Sequence, residues 1–97
     1  MATIIRRKSD NVVTHYAQSA DFDSGYLIFT GADGIRTHSH GTTPDAYEII
    51  DDVTHPAKPW AFCLTYIDGT YTILTDVVDA MNETLTSNNR PELEVEI

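Results

Sequence analysis

The dipeptide Asp68-Gly69 sits between two runs of alternating side chains, and it constrains the fold more than any other feature of the chain. Both residues tolerate positive φ, so together they favour the two-residue type I′ turn that matches the twist of paired strands. A turn there pairs Ile67 with Thr70, Tyr66 with Tyr71, Thr65 with Thr72 and Leu64 with Ile73 across residues 59–74. With a side-chain period of two, Trp60, Phe62, Leu64, Tyr66, Tyr71 and Ile73 share one apolar face. That face is expected to be the main buried surface, with Leu27 or Phe29 against it. The opposite face, with Ala61, Cys63, Thr65, Ile67, Thr70, Thr72 and Leu74, is mixed. A one-sided hairpin needs a second layer to cover it.

Ninety-seven residues make one domain. Such a chain buries roughly 65% of its unfolded surface, enough to fold alone. The net charge of −9 disfavours binding to nucleic acid or to an anionic membrane through a general field. It suits a soluble protein, a basic partner or a mimic of nucleic acid. The single cysteine, Cys63, allows no internal disulfide and reads as a small buried hydrophobe in the hairpin. No apolar run reaches membrane-spanning length and no signal-peptide core opens the chain, so synthesis in the cytosol without export is expected.

Further hairpins are expected upstream. Residues 3–8 and 12–16 flank a turn at Asp10-Asn11, which would set Ile5 beside Tyr16 and Lys8 beside Val13. Residues 17–24 are polar and acidic and read as a loop. Residues 25–30 form a continuous apolar run, the mark of a central strand. A turn over residues 31–34 returns the chain as a strand over 35–38. Residues 46–50 read as a short strand, and 51–58 as a surface connection. After Leu74 the period changes. Asp76 suits a helix cap, Val77, Met81 and Leu85 recur at helical spacing with Val78 beside them, and residues 88–91 stop the helix. This helix is expected to cover the apolar hairpin face. The fold expected is therefore mainly β, a small hairpin-rich sandwich or barrel-like domain over residues 1–90 with one short C-terminal helix, followed by a strand or tail over 91–97.

Chemistry is sparse. No nucleophile elbow, phosphate loop or zinc-protease motif is present, and no catalytic, cofactor-binding or metal-binding residues are assigned. Asp51-Asp52 reads as a loop acid pair. Arg6-Arg7-Lys8 holds half the basic residues and reads as a solvated strand end or an interface charge. His38-Ser39-His40 has ligand-like spacing, since residues two apart on an extended chain point the same way. Two ligands hold a metal weakly, so His15, His55, Asp33 or symmetry copies would have to complete the set. In the tail, Leu93, Val95 and Ile97 alternate with Glu92, Glu94 and Glu96, the pattern of a strand with one buried face. Such a strand must pair with an edge of its own domain or of a neighbour, which makes Leu93, Val95, Ile97, Glu92 and Glu94 the candidate partner-binding residues.

The opening residues 4–22, with Arg7-Lys8-Ser9-Asp10, the Gly-rich residues 31–34, Asp52-Val53 with Pro56 and Pro59, and Trp60 through Tyr66-Ile67-Asp68-Gly69-Thr70-Tyr71 resemble small accessory proteins encoded among the structural genes of tailed bacteriophages. The resemblance spans most of the chain through short motifs, with Tyr71 where a Trp suits the pattern. It implies a β domain of the virion attached to capsid, tail or fibre. It implies other virion proteins as partners and carries over no catalytic residues. A homo-oligomer is expected, with no nucleic acid, membrane, small-molecule substrate or cofactor. Some trimeric phage fibres are similar in carrying His-x-His iron sites. The expected function is a non-enzymatic structural component acting by assembly. The alternative is a small acidic inhibitor or nucleic-acid mimic that binds a host protein.

Overall fold

A computed structural model describes residues 2–58, 60 and 62–97. Eight strands run β1 Ala2–Arg7, β2 Val13–Ala17, β3 Ser19–Asp23, β4 Tyr26–Thr30, β5 Arg36–Ser39, β6 Tyr47–Val53, β7 Leu64–Ile67 and β8 Thr70–Ile73, followed by the helix α1, Thr75–Ser87. They form three antiparallel sheets, ordered β2-β1-β6, β3-β4-β5 and β7-β8. The fold is mainly β with one short C-terminal helix.

The β2-β1-β6 sheet is the middle layer, because successive side chains of β1 point to opposite faces. Ile4, with Val13 and Val53, packs towards Tyr66 and Tyr71 of the β7-β8 hairpin. Ile5, with Ala17, packs towards Leu27, Ala20, Phe22 and Phe29 of the β3-β4-β5 sheet. The hairpin is tied to the start of β2 by a bridge between Val12 and Thr65 and by the Tyr66 amide donating to the Asn11 carbonyl at 3.0 Å. Only Gln18 separates β2 from β3, and its amide donates to the Thr30 carbonyl at 2.8 Å, so the chain passes directly from one sheet into the next.

The Asp68-Gly69 hairpin forms in the expected register, Leu64 to Ile73, Thr65 to Thr72, Tyr66 to Tyr71 and Ile67 to Thr70. Asp68 and Gly69 adopt φ of 50° and 81°, the two positive values that the turn requires. The apolar face is shorter than expected. Phe62 has φ of 67°, which breaks the extended chain just before β7, and Phe62 and Trp60 are exposed. Leu64 of that face is fully buried as expected, and so is Cys63. Leu27 and Phe29 belong to the other core rather than to the hairpin. The expectations for Pro59 and Ala61 lie outside the described residues.

The first hairpin also differs in detail. Ile4 faces Tyr16 and Ile5 faces His15, while Arg6 faces Val13 across a bulge, so the register is displaced from the expected one. Asn11, at φ of 62°, lets the chain reverse, and the Asn11 amide closes the turn onto the Arg7 carbonyl. Residues 19–23, expected in a loop, form β3, with Ala20 and Phe22 turned to the core and the exposed Asp21 and Asp23 turned away. Residues 51–53, expected in a connection, extend β6 as far as the buried Val53. Asp52 there has φ of 58°, beside the point where the β1–β6 register shifts.

Candidate interaction surface

α1 forms where the sequence places it, but it is not a lid. It buries none of its residues. Asp76 lies in its first turn rather than at its cap, and Leu74 at the cap supplies no side-chain hydrogen bond. The Leu74 amide donates to the Cys63 carbonyl at 2.8 Å, and Met81 Sδ lies 3.8 Å from Cys63 Sγ. The helix is thus hung beside the β7-β8 hairpin. Burial raises the pKa of the Cys63 thiol, as suits a small apolar side chain rather than a reactive thiolate.

The tail turns back along this helix. The Leu93 amide donates to Asn82 Oδ1 at 2.6 Å, and Trp60 Nε1 donates to the Glu94 carbonyl at 2.8 Å. Lys58 pairs with Glu94, and its Nζ lies 3.9 Å from Glu96. The side-chain hydrogen bond from Lys58 lowers the pKa of Glu94, and Glu94 raises that of Lys58. Lys58 and Glu96 make a single antiparallel bridge. The alternation of acid and aliphatic residues is therefore realised as one intrachain bridge. Leu93 and Val95 are half-buried, and Ile97 is exposed beside a shallow depression that also meets Tyr66, Gly69 and Tyr71. With Glu94 and Glu96 drawn to Lys58, the tail does not present three free carboxylates in a row.

What the helix and tail leave uncovered is apolar. Trp60 is 41% exposed, Phe62 49% and Met81 39%. Ala80, Met81, Thr84, Leu85 and Leu93 line an open slot along α1. A second depression on the same helix is lined by Asp79, Asn82, Glu83, Thr86, Ser87 and Glu92. The spacing of Met81 and Leu85 marks this face in the sequence, but it marks equally well a face that a core would cover. The roles of Lys58 and Asn82 as anchors of the tail left no local signal, because both act over long sequence separations.

The other candidates are dispersed or already engaged. Tyr26 stacks on His40 with ring centroids 4.2 Å apart, and His38 is 5.9 Å from the same ring. His15 packs on Phe29 at 5.0 Å, and burial lowers its pKa. His55 meets the edge of Tyr16. Among the described residues, no group of three or more His, Cys, Asp or Glu side chains is arranged to hold a metal ion. Each member of the basic triplet has an internal partner. Arg6 pairs with Glu48 and donates to the Tyr66 carbonyl at 2.6 Å, Arg7 pairs with Asp10 at 2.6 Å, and Lys8 donates to the Pro44 carbonyl at 2.9 Å. Asp51, within β6, accepts from Thr3 at 2.8 Å. Between the hairpin and the middle sheet, the buried hydroxyls of Tyr16 and Tyr71 make no hydrogen bond among the described residues. Burial raises the pKa of both, Tyr71 to about 12.

Comparison with protein-family models, curated proteins and solved structures gives no match to this chain. Among the described residues, no helix is long and apolar enough to cross a membrane.

Proposed function

We propose that this chain is a non-enzymatic structural component of a tailed phage particle, a capsid decoration, tail or baseplate adaptor or fibre-associated protein that works by protein–protein assembly. The particle comes from the resemblance of its motifs to phage accessory proteins. The mode of action rests on one observation. A 13-residue helix buries none of its residues and carries exposed Met81, and Trp60 and Phe62, just before β7, are exposed as well. Large aromatic and Met side chains on a surface are the anchors that protein interfaces favour, and they cost solubility unless something covers them. The test is light scattering on the purified protein, alone and mixed with the other proteins of its particle. A defined oligomer or a stoichiometric complex is expected. A monomer that joins none of them overturns the proposal.

The second reading, an acidic inhibitor of a host protein, is favoured by the carboxylates of α1. Asp76, Asp79 and Glu83 have no ion-pair partner among the described residues. Stoichiometry separates the two readings: an inhibitor holds one basic target in a closed complex, whereas a particle component joins a symmetric assembly.

A further inference from the structure

We infer that the depression between the end of β6 and the β7-β8 hairpin docks a proline-rich, Arg-flanked segment of another protein in the polyproline II conformation, a step that rests on the assembly reading above. The end of β6 and the connection after it contribute the buried Val53 and Pro56 and the exposed His55. The hairpin contributes Tyr66 and Tyr71, and the tail contributes the exposed Ile97. The two tyrosine rings meet at 61° with centroids 4.8 Å apart, so the aromatic wall is angled rather than flat. Aromatic-lined grooves of this kind are the surfaces that proline rings dock against. The Tyr66 hydroxyl lies beside Gly69, which also lines the depression and has no side chain to crowd it.

Shape and charge select this occupant. A shallow depression buries little of any ligand, so a segment that must first be ordered gains too little to stay bound. Polyproline II is extended before it binds, and it has no internal hydrogen bonds, so its carbonyls can accept from a donor such as the Tyr66 hydroxyl. Charge sets the flanking residue. Asp52 lines the same depression, is exposed, and is in no ion pair among the described residues. No Lys or Arg lines the depression among the described residues. Arg6, which donates to the Tyr66 carbonyl, is itself paired with Glu48. An Arg beside the prolines therefore meets an unpaired carboxylate, and a Glu there meets repulsion. A second copy of the chain is a poor source of the segment. Its sole Pro-x-x-Pro stretch, residues 56–59, has Pro56 buried and Lys58 paired with Glu94.

The test uses the full chain and three labelled peptides of about ten residues, long enough to stay extended across the site: a Pro-rich peptide with Arg at both ends, the same peptide with Glu at both ends, and the Arg-ended peptide with every Pro replaced by Ala. Fluorescence anisotropy should show saturable binding of the Pro–Arg peptide, weakened by added salt, with each of the others weaker by about fivefold or more. Peptide-induced amide shifts should concentrate in residues 52–56, 66, 69 and 71. Asp52→Asn keeps a residue type that tolerates the φ of 58° there and removes the charge. It should narrow the gap between the Arg-ended and Glu-ended peptides by about threefold or more. Tyr66→Phe keeps the ring and should weaken the Pro–Arg peptide by about twofold or more. Unchanged amide shifts in β1 and β4 would establish that both variants remain folded. Equal binding of the Ala peptide, an unchanged gap in Asp52→Asn, no effect of Tyr66→Phe, or shifts centred elsewhere overturns the inference. So does a chain that assembles in light scattering but takes up no Pro–Arg peptide, an outcome that leaves the assembly reading standing. A monomer that binds the Pro–Arg peptide at this depression but joins no particle protein keeps the docking site and removes the virion role.

Discussion

Ile4 and Ile5 are neighbours in the chain and lie in different cores. Both are fully buried, Ile4 against Val13 and Val53 and Ile5 against Ala17 and Leu27. One peptide step on β1 therefore holds the hairpin on one side of the middle sheet and the β3-β4-β5 sheet on the other. No other strand has fully buried side chains at adjacent positions feeding two separate clusters among the described residues.

From this it follows that Ile4→Val and Ile5→Val should each lower stability by about 0.5–1.5 kcal/mol in urea titrations. Their lost methyl groups leave space on opposite faces, with no shared neighbours. The double variant should then equal the sum within about 0.5 kcal/mol. A coupling of 1 kcal/mol or more would mean that the two cores respond as one.

The turn between β7 and β8 is a test of backbone conformation alone. A Cβ on Gly69 would meet nothing closer than the Tyr66 hydroxyl at 4.0 Å, yet φ there is 81°. Gly69→Ala should therefore destabilise by about 1–2 kcal/mol through the left-handed conformation itself. In a chain of this size that lowers Tm by roughly 4–16 °C. Gly41→Ala is the control, since Gly41 has open space and no positive φ. It should change stability by no more than about 0.5 kcal/mol. Equal effects at the two sites would show that the turn conformation carries no special weight.

The same turn explains which parts of the fold were legible. Asp68-Gly69 sets the register locally, so all four pairs from Leu64 to Ile73 could be read from sequence. The first hairpin turns through a longer loop and contains a bulge after Ile5, which displaces a register that simple counting would assign. β3 was hidden by composition. Its two core residues, Ala20 and Phe22, alternate with Ser19, Asp21 and Asp23, which read as loop residues. The period of α1 was visible, but period reports a face and not what covers it, so the exposure of Met81 could not be read. Trp60 and Phe62 failed for a related reason. Alternation predicts burial only while the chain stays extended, and the positive φ at Phe62 ends that. The candidate tail residues were legible as a pattern, while their fixing by Lys58, Trp60 and Asn82 depends on tertiary contacts.

His15 gives the fold a dependence on mildly acidic pH. Burial against Phe29 lowers its pKa below the ordinary value of 6.5. Below 6.5 the unfolded chain takes up a proton that the folded chain resists. The resulting stability is fully present above that value and is lost as pH falls through the lower folded pKa. Denaturant melts between pH 7.5 and about 5 should show this loss, and His15→Gln should flatten that part of the profile. A profile that His15→Gln leaves unchanged assigns the dependence to other groups.

Tyr71 makes the opposite prediction at alkaline pH. Its hydroxyl is buried without a partner among the described residues, and burial followed by the neighbouring Tyr66 pushes its pKa up to about 12. The unfolded chain ionises this phenol near 10, so stability is full below that value and falls as pH rises through about 12. Tyr71→Phe removes a desolvated hydroxyl and keeps the ring against Tyr66, so it should be neutral or stabilising at pH 7. It should also move alkaline unfolding to higher pH. A loss above about 1 kcal/mol at pH 7 would mean that the hydroxyl makes a hydrogen bond in solution.

Deleting residues 92–97 separates the tail's attachment from the fold's integrity. The tail is held by the Lys58–Glu94 pair, the Trp60 indole on the Glu94 carbonyl, and the Leu93 amide on Asn82. These contacts are at or near the surface, where ion pairs are screened and contribute little. None of the residues removed belongs to either core. The truncated chain should therefore keep its β1 and β4 amide shifts and lose no more than about 1 kcal/mol. Trp60 is the sole tryptophan, so fluorescence reports on this site alone. Without the Glu94 carbonyl its emission should shift to the red and iodide should quench it more readily. If instead the amide spectrum collapses, residues 92–97 are part of the folding unit. If Trp60 emission does not move, the tail does not rest on the indole in solution.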